Sequence, residues 1–284
     1  MNGWSAWPAP AKLNLFLRIV GRRADGYHLL QTVFRMLDWG DEIRLRVRRD
    51  GEIVRGQGAD GIDADDDLAV RAARALQRAS GTELGTDITV DKRIPVGAGL
   101  GGGSSDAATV LVALNALWET RLSRPQLAEI GLSLGADVPV FVHGRSAWAE
   151  GVGEKLSPVE LPLRWYVVLD PHVHVSTAEL FQAPELTRHA TPATIAGFVS
   201  GGIVDNAFEP VARARYPQVA SALEWLGRFG MARLSGSGGA VFLECEDEAK
   251  ARGVAMRCPA EFTTVVARGL DISPLDQAAA GYQN

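Results

Sequence analysis

Cysteine is scarce in this chain of 284 residues, with Cys245 and Cys258 the only two. Two thiols make no disulfide framework, and their spacing matches no metal-ligand pattern. A reduced, cytoplasmic protein is the expectation. Positive charge is not in excess either: 29 lysines and arginines stand against 34 aspartates and glutamates, a formal net charge of −5. Nucleic-acid binders concentrate basic charge, so no nucleic-acid partner is expected. No stretch approaches the roughly 18–20 uncharged apolar residues that a membrane helix needs. Pro8, Pro10 and Lys12 interrupt the apolar run that a signal peptide would carry. No membrane association is therefore expected. Low-complexity segments and internal repeats are missing as well.

What remains is ordinary globular material, 46% hydrophobic and 22% charged. At about 100–150 residues per domain the length suggests two domains. Leu13–Val20 reads as a strand, and Gly21–Tyr27 as a polar turn. Thr32–Leu37 and Ile43–Val47 read as two more strands, with Asp38–Asp41 as the turn between them. Arg44, Arg46 and Arg48 alternate with apolar residues and so form the wet face of a strand. Leu68–Ala79 has helical spacing behind the acidic run Asp65–Asp67. Asp87–Ile94 alternates as a strand does. Pro95–Ser105 is a loop, and Asp106–Glu119 a helix with Val110, Leu111, Leu114, Leu117 and Trp118 on one face. Ser123-Arg124-Pro125-Gln126 opens a further helix with a capping box. Val140–Val142 looks strand-like. The turn-rich segment Gly151–Pro158 suggests a boundary, giving domains of 1–154 and 155–284. Beyond it come strands at Trp165–Leu169, Met231–Leu234, Ala240–Leu243 and Phe262–Ala267, and helices at Thr177–Phe181, Gln218–Phe229 and Asp247–Met256. Helices interleaved with paired strands predict a ferredoxin-like α+β second domain.

Residues 95–105 (PVGAGLGGGSS) hold five glycines and two serines just before a helix. Glycines let the backbone close on a ligand, and a helix N-terminus adds unpaired N–H groups and partial positive charge. Together they predict an anion site, with phosphate the usual anion, where the other reading is a tight turn with no ligand. Gly103 is followed by Ser104 rather than lysine, which rejects the Walker A loop. Gly97, Gly99 and Gly102 match G-x-G-x-x-G, but Glu119 ends a helix where a dinucleotide fold needs an acid after a second strand. Phosphoryl transfer needs in addition a positioned nucleophile, charge neutralisation and usually a carboxylate near the acceptor hydroxyl. Asp137, ahead of Pro139, is one candidate; a solvated aspartate at a helix end is the other reading. Lys12 and Asn14 share one side of a strand, which suits either a site or a wet edge. Tyr27-His28 after a glycine turn is placed to stack on a base, as ordinary surface aromatics also are. His172 and His174 lack a third ligand and make no metal site.

The loop PVGAGLGGGSS resembles the nucleotide loop of the GHMP kinase superfamily. Pro8–Leu17 (PAPAKLNLFL), Arg23–Thr32 (RADGYHLLQT), Leu134–Val142 (LGADVPVFV) and Leu234–Phe242 (LSGSGGAVF) resemble the branch that phosphorylates a cytidine-diphosphate methylerythritol. The resemblance implies an α+β, two-domain GHMP kinase fold. Its N-terminal, ATP-binding domain is of the ribosomal protein S5 domain 2-like type, and its C-terminal, substrate-side domain is ferredoxin-like. It implies transfer of the γ-phosphoryl group of ATP to the 2-hydroxyl of that small-molecule substrate, on the non-mevalonate route to isoprenoid precursors. By the same resemblance Lys12 and Asp137 are catalytic. Pro95, Val96, Gly97, Ala98, Gly99, Leu100, Gly101, Gly102, Gly103, Ser104 and Ser105 cradle ATP, and Lys92 lies at its adenosine end. Asn14 and Thr177 face the methylerythritol. Tyr27 and Phe181 sandwich cytosine, and His28 bonds its polar edge. Mg²⁺ is expected between the β- and γ-phosphates, with the Ser105 hydroxyl as a ligand. A monomer or weak homodimer is expected.

Where relatives show Asp-Asn-Leu near the adenine pocket, this chain reads Asp66-Asp67-Leu68. An aspartate accepts a hydrogen bond there but cannot donate one. The competing readings are a kinase of the same fold for homoserine, a sugar or a mevalonate derivative, an inactive nucleotide sensor, and an RNA binder through the S5-like half. Tyr27, His28 and Phe181 argue against the first, Lys12 with Asp137 against the second, and the net charge against the third.

Overall fold

The computed structural model describes residues 3–59 and 61–282. Two long antiparallel strands, β1 (Ser5–Arg22) and β2 (His28–Arg48), organise the first half. The turn expected at Asp38–Asp41 does not exist, since β2 runs straight through it. Gly40 lies opposite Pro10 at a register shift, and a Cβ there would fall 2.1 Å from the Ala9 carbonyl oxygen. That glycine permits close strand approach rather than a bend. Asp41 accepts from the backbone N–H groups of Arg93 and Ile94 instead of turning the chain.

After β3 (Ile53–Arg55), Asp67 caps α1 (Leu68–Ser80), its carboxylate accepting from the Ala69 N–H at 2.9 Å. β4 (Gly85–Asp91) leads to α2 (Gly102–Leu117), which starts inside the glycine run rather than at Asp106. In α3 (Arg124–Leu134) the Gln126 side chain accepts from the Ser123 N–H at 2.9 Å. The next element, α4 (Val138–His143), corrects the strand expected at Val140–Val142. Pro139 fits a first helical turn, Gly144 closes it, and Val138–Val142 is buried on every side. An apolar run buried all round carries no periodicity that separates helix from strand.

The hairpin β5 (Ala147–Glu150) and β6 (Lys155–Pro158) pairs with β2, so the expected boundary at 154/155 falls in its turn. The second half comprises β7 (Trp165–Asp170), α5 (Thr177–Gln182), α6 (Ile195–Val199), α7 (Glu209–Arg215), α8 (Pro217–Gly227), β8 (Ala232–Leu234), β9 (Val241–Cys245), α9 (Glu248–Ala255), β10 (Thr263–Leu270) and α10 (Pro274–Ala280). Its strands order β10-β7-β9-β8, all antiparallel, with α8 and α9 as the crossovers. That is the split βαβ arrangement of a ferredoxin-like domain. β10 also meets β2 at Gly269–Leu37 and Leu270–Met36, joining both halves in one ten-stranded sheet among the described residues.

Three apolar clusters hold these layers. One packs α1, α2 and α4 on the first half through Phe34, Leu76, Leu111 and Phe141. Another fills the second half around Leu169, Phe208 and Leu223. A third lies between them, built on Leu13, Phe16, Trp148 and Phe242. The two halves are therefore welded along β1 and β2, which fixes the cleft they border.

Candidate active site

A cleft of about 1160 Å³ opens between the halves. Every site residue expected from the sequence lines it except Ser105. Ser105 is fully buried, and its hydroxyl donates to the Pro10 carbonyl at 2.7 Å. It braces α2 against β1, and the structure does not bring it to the cleft as a metal ligand.

Lys12 is the centre of the site. It lies on β1 and is 2% exposed, yet its ammonium has three partners. They are the Asp137 carboxylate at 3.3 Å, the Gly99 carbonyl at 2.9 Å and the Asn14 side-chain oxygen at 2.5 Å. Two of its three N–H donors are hydrogen-bonded, to Asn14 and Gly99, and the charge is set against the Asp137 carboxylate, which holds the head group in place. Asn14 is fixed in turn by donating to the Thr32 hydroxyl at 2.9 Å. Asp137 sits at the N-cap of α4 without capping it, which leaves its half-exposed carboxylate facing Lys12.

The glycine loop is anchored from both halves. Leu100 accepts from the Lys12 backbone N–H at 3.0 Å, and Ala98 accepts from the Ala240 N–H at 3.0 Å. The Ser235 hydroxyl donates to the Gly99 carbonyl at 3.1 Å and accepts from the Asn14 N–H at 3.3 Å. Gly101 caps α2 with a φ of +76°, and a Cβ there would lie 2.8 Å from the Phe141 ring. Only glycine fits that left-handed, crowded position. The free N–H groups of α2 and its dipole thus open onto the cleft. Gly236, Ser237 and Gly238 line the cleft opposite. Sequence reasoning placed those three in a turn between strands and missed them as site residues, though the Ser-Gly-Ser-Gly-Gly composition was the available signal.

Lys92 bridges Asp41 and Asp106, at 2.5 and 2.8 Å. Burial lowers the lysine's pKa, but the charges of Asp106 and Asp41 outweigh it and raise the value. Burial likewise pushes the Asp106 carboxyl up to about 7, against the pull of Lys92. One Asp106 oxygen, Oδ1, is buried without a hydrogen-bond partner. Asp67, the departure noted near the adenine pocket, has both oxygens engaged. One caps α1 and the other pairs with the Arg55 guanidinium at 2.7 Å. Arg55 also donates to the Ile62 and Ala59 carbonyls, at 2.8 and 2.9 Å, and so pins that wall of the cleft.

At the other end Tyr27 stands 65% exposed. The ring stacked on Phe181 is His28, with centroids 4.7 Å apart and planes 20° from parallel. Phe208 supports Phe181 edge-on at 4.9 Å. Burial lowers the His28 pKa, and the charges of Arg22 and Arg188 lower it further. Its Nε2 is buried and unpartnered, an atom that calls for a ligand. The Thr177 hydroxyl shares a 2.7 Å hydrogen bond with that of Ser237. His172 and His174 lie outside any strand, and among the described residues no cluster of three metal-ligating side chains occurs.

Two glycine-rich loops beside a lysine–aspartate pair, on a ferredoxin-like half joined to an α+β half, fit a small-molecule kinase. Residues 67–145 match the GHMP kinases N terminal domain and residues 192–263 the GHMP kinases C terminal, and the chain belongs to this family of ATP-dependent kinases. It is 60% identical to the 4-diphosphocytidyl-2-C-methyl-D-erythritol kinase of Xanthomonas euvesicatoria pv. vesicatoria, over 96% of this chain and 92% of that protein. The protein of the same name from Halorhodospira halophila is 58% identical, over 97% and 96%. A crystal structure of 4-(cytidine 5'-diphospho)-2C-methyl-D-erythritol kinase superposes with a TM-score of 0.80 at 35% identity, covering 93% of this chain and 99% of the other. Homoserine kinase from Cytophaga hutchinsonii, 18% identical with a TM-score of 0.70 over 97% of each chain, shares the fold.

Proposed function

We propose that this chain transfers the γ-phosphoryl group of ATP to the 2-hydroxyl of 4-diphosphocytidyl-2-C-methyl-D-erythritol, yielding the 2-phosphate and ADP. The reaction is a step on the non-mevalonate route to isoprenoid precursors. The observation that carries the chemistry is the Lys12 ammonium, held at once by Asp137, Asn14 and the phosphate loop. The acceptor assignment is supported by the roughly 60% identical relatives that bear that name, and by the neutral, unpartnered His28 edge stacked on Phe181.

In this reading the α2 N-terminus and the 97–103 loop hold the nucleotide phosphates. Thr177 and Asn14 orient the methylerythritol so that its 2-hydroxyl lies beside Asp137. Phosphoryl transfer passes through a loose transition state, so positioning and charge stabilisation outweigh base strength. Asp137 takes the hydroxyl proton as the new P–O bond forms, and the neighbouring Lys12 ammonium stabilises the alkoxide. Cytosine is read by its flat face against Tyr27 and Phe181 and by its edge at His28.

Mg²⁺ belongs to this proposal too. Mg²⁺ takes one or two carboxylates plus phosphate oxygens, and the unpartnered Asp106 oxygen with the cleft-lining Ser104 fits that donor set. When bound, the ion supplies charge neutralisation at the β- and γ-phosphates. Lys12, Asp137, Tyr27 and Phe181 line one cleft within a single copy of the chain, which fits a monomer or weak homodimer. A cytoplasmic setting is supported by the two unpaired thiols, Cys245 and Cys258, whose pKa values burial raises. No helix among the described residues is long and apolar enough to cross a membrane.

Steady-state kinetics of Asp137→Asn test the mechanism. Turnover is expected to fall by about 10²–10⁴-fold, the usual scale for a lost acid–base group, while the KM for ATP stays near that of the parent. Undiminished turnover would remove Asp137 from the chemistry.

A further inference from the structure

The acceptor proposed above carries a diphosphate, and nothing yet placed in the site neutralises it. Four cleft-lining side chains are positively charged: Lys12, Arg22, Arg71 and Lys92. Lys12 is held by Asp137, and Lys92 by Asp41 and Asp106. Arg71 stands on α1, directly after the Asp66-Asp67 rim at the nucleotide end. Arg22 is at the opposite end. It closes β1 and opens the turn that presents Tyr27 and His28.

Its guanidinium is aimed but not consumed. Nε donates to the Gly26 carbonyl at 2.9 Å, which ties the head group to the turn. Neither Nη nitrogen has a hydrogen bond or ion pair among the described residues. The neighbouring acid in the cleft wall, Asp25, is already paired with Arg23 at 2.7 Å and accepts from the Tyr27 N–H at 3.2 Å. The charge of Arg22 is close enough to His28 to depress that imidazole. Arg188, the other cation felt by His28, donates to the carbonyls of Leu186, Phe181 and Ala183.

We propose that Arg22 binds the diphosphate of the acceptor and thereby selects a nucleoside-diphosphate-linked alcohol over the free polyol. This inference rests on the acceptor reading given above. In a cytidine diphosphate ester the phosphates begin at the ribose of the base, so a base held at Tyr27 and His28 brings them to the same turn. Two free Nη groups in a planar fork suit two phosphate oxygens, and an arginine keeps its charge at any working pH.

Calorimetric titration with cytidine 5'-diphosphate and with cytidine tests it, on the parent chain, Arg22→Met and Arg22→Lys. In the parent the diphosphate is expected to bind at least about tenfold more tightly than cytidine, the scale of charge-assisted hydrogen bonds, with the advantage shrinking as salt is raised. In Arg22→Met the two ligands should bind within about threefold of each other, while cytidine and ATP affinities stay at parental values. Arg22→Lys, which restores charge without the bond to Gly26, should recover part of the advantage. An undiminished advantage in Arg22→Met would overturn the assignment. So would an equal loss for cytidine and its diphosphate in both variants, which would make Arg22 a brace for the turn. Failure of the parent chain to bind either compound would overturn the acceptor reading itself, and the role of Arg22 with it.

Discussion

Lys12 and His28 show opposite ways in which a buried polar side chain serves a site. Lys12 is hydrogen-bonded to Asn14 and Gly99 and ion-paired with Asp137, so its charge is placed. His28 has a ring nitrogen with nothing to bond. Because burial and two nearby arginines lower the pKa of that imidazole, cytidine binding should be level from pH 8 to about 6.5 and weaken only in more acid solution. The unfolded chain takes up that proton first. The contribution of His28 to stability is therefore fully present above about pH 6.5 and is lost as pH falls towards the folded value. Titration calorimetry across this range checks the first statement, with His28→Gln as the variant expected to lose the acid limb. A break at or above pH 6.5 in the parent would contradict it. Asp67 shows how a carboxylate beside the cleft is held locally: it is paired with Arg55 and caps α1. That pairing was invisible without the position of Arg55.

In the proposed reading, helix α2 and the loop before it hold the nucleotide phosphates. A methyl group at Gly101 would have to adopt a φ of +76° and would meet Phe141 and Lys12. Left-handed backbone costs about 1–2 kcal/mol for a residue with a Cβ. Gly101→Ala is accordingly expected to raise the KM for ATP roughly tenfold, the rate equivalent of that strain, with the acceptor KM unmoved. Unchanged ATP kinetics would separate the α2 N-terminus from the phosphate site. This loop was legible because five glycines in eleven residues announce close backbone approach. Its partner loop at 235–239 was legible only as a serine- and glycine-rich turn. Its importance comes from contacts such as Ser235 with Asn14, 221 positions away, which no local pattern encodes. The helices α6, α7 and α10 span five to seven residues and complete less than two turns, too short for a hydrophobic stripe to form. The turn expected at Asp38–Asp41 and the strand expected at Val140–Val142 failed for related reasons. Turn-forming residues were used for strand approach and loop anchoring, and an apolar segment was buried on every side.

Across the whole molecule, the site exists only where the halves meet. Lys12 and Asn14 come from β1, the phosphate loop from the first half, and Thr177, Phe181 and the 235–239 loop from the second. The sheet is continuous from β2 to β10, and buried Arg35 reaches from β2 to Asp271 and to the Pro162 carbonyl, at 3.1 Å for the latter. Such a seam ties together the two halves that border the cleft, whose ends serve different ligands in the proposed reading. The most direct trial of this picture is phosphorus NMR of the purified chain with Mg²⁺ and ATP. 4-Diphosphocytidyl-2-C-methyl-D-erythritol would be the acceptor in one tube, with homoserine and galactose in parallel tubes. A new phosphomonoester resonance in the cytidylyl tube alone is the expected result. Phosphorylation of homoserine or galactose, with none of the cytidylyl acceptor, would contradict the reading of the Tyr27, His28 and Phe181 end of the cleft.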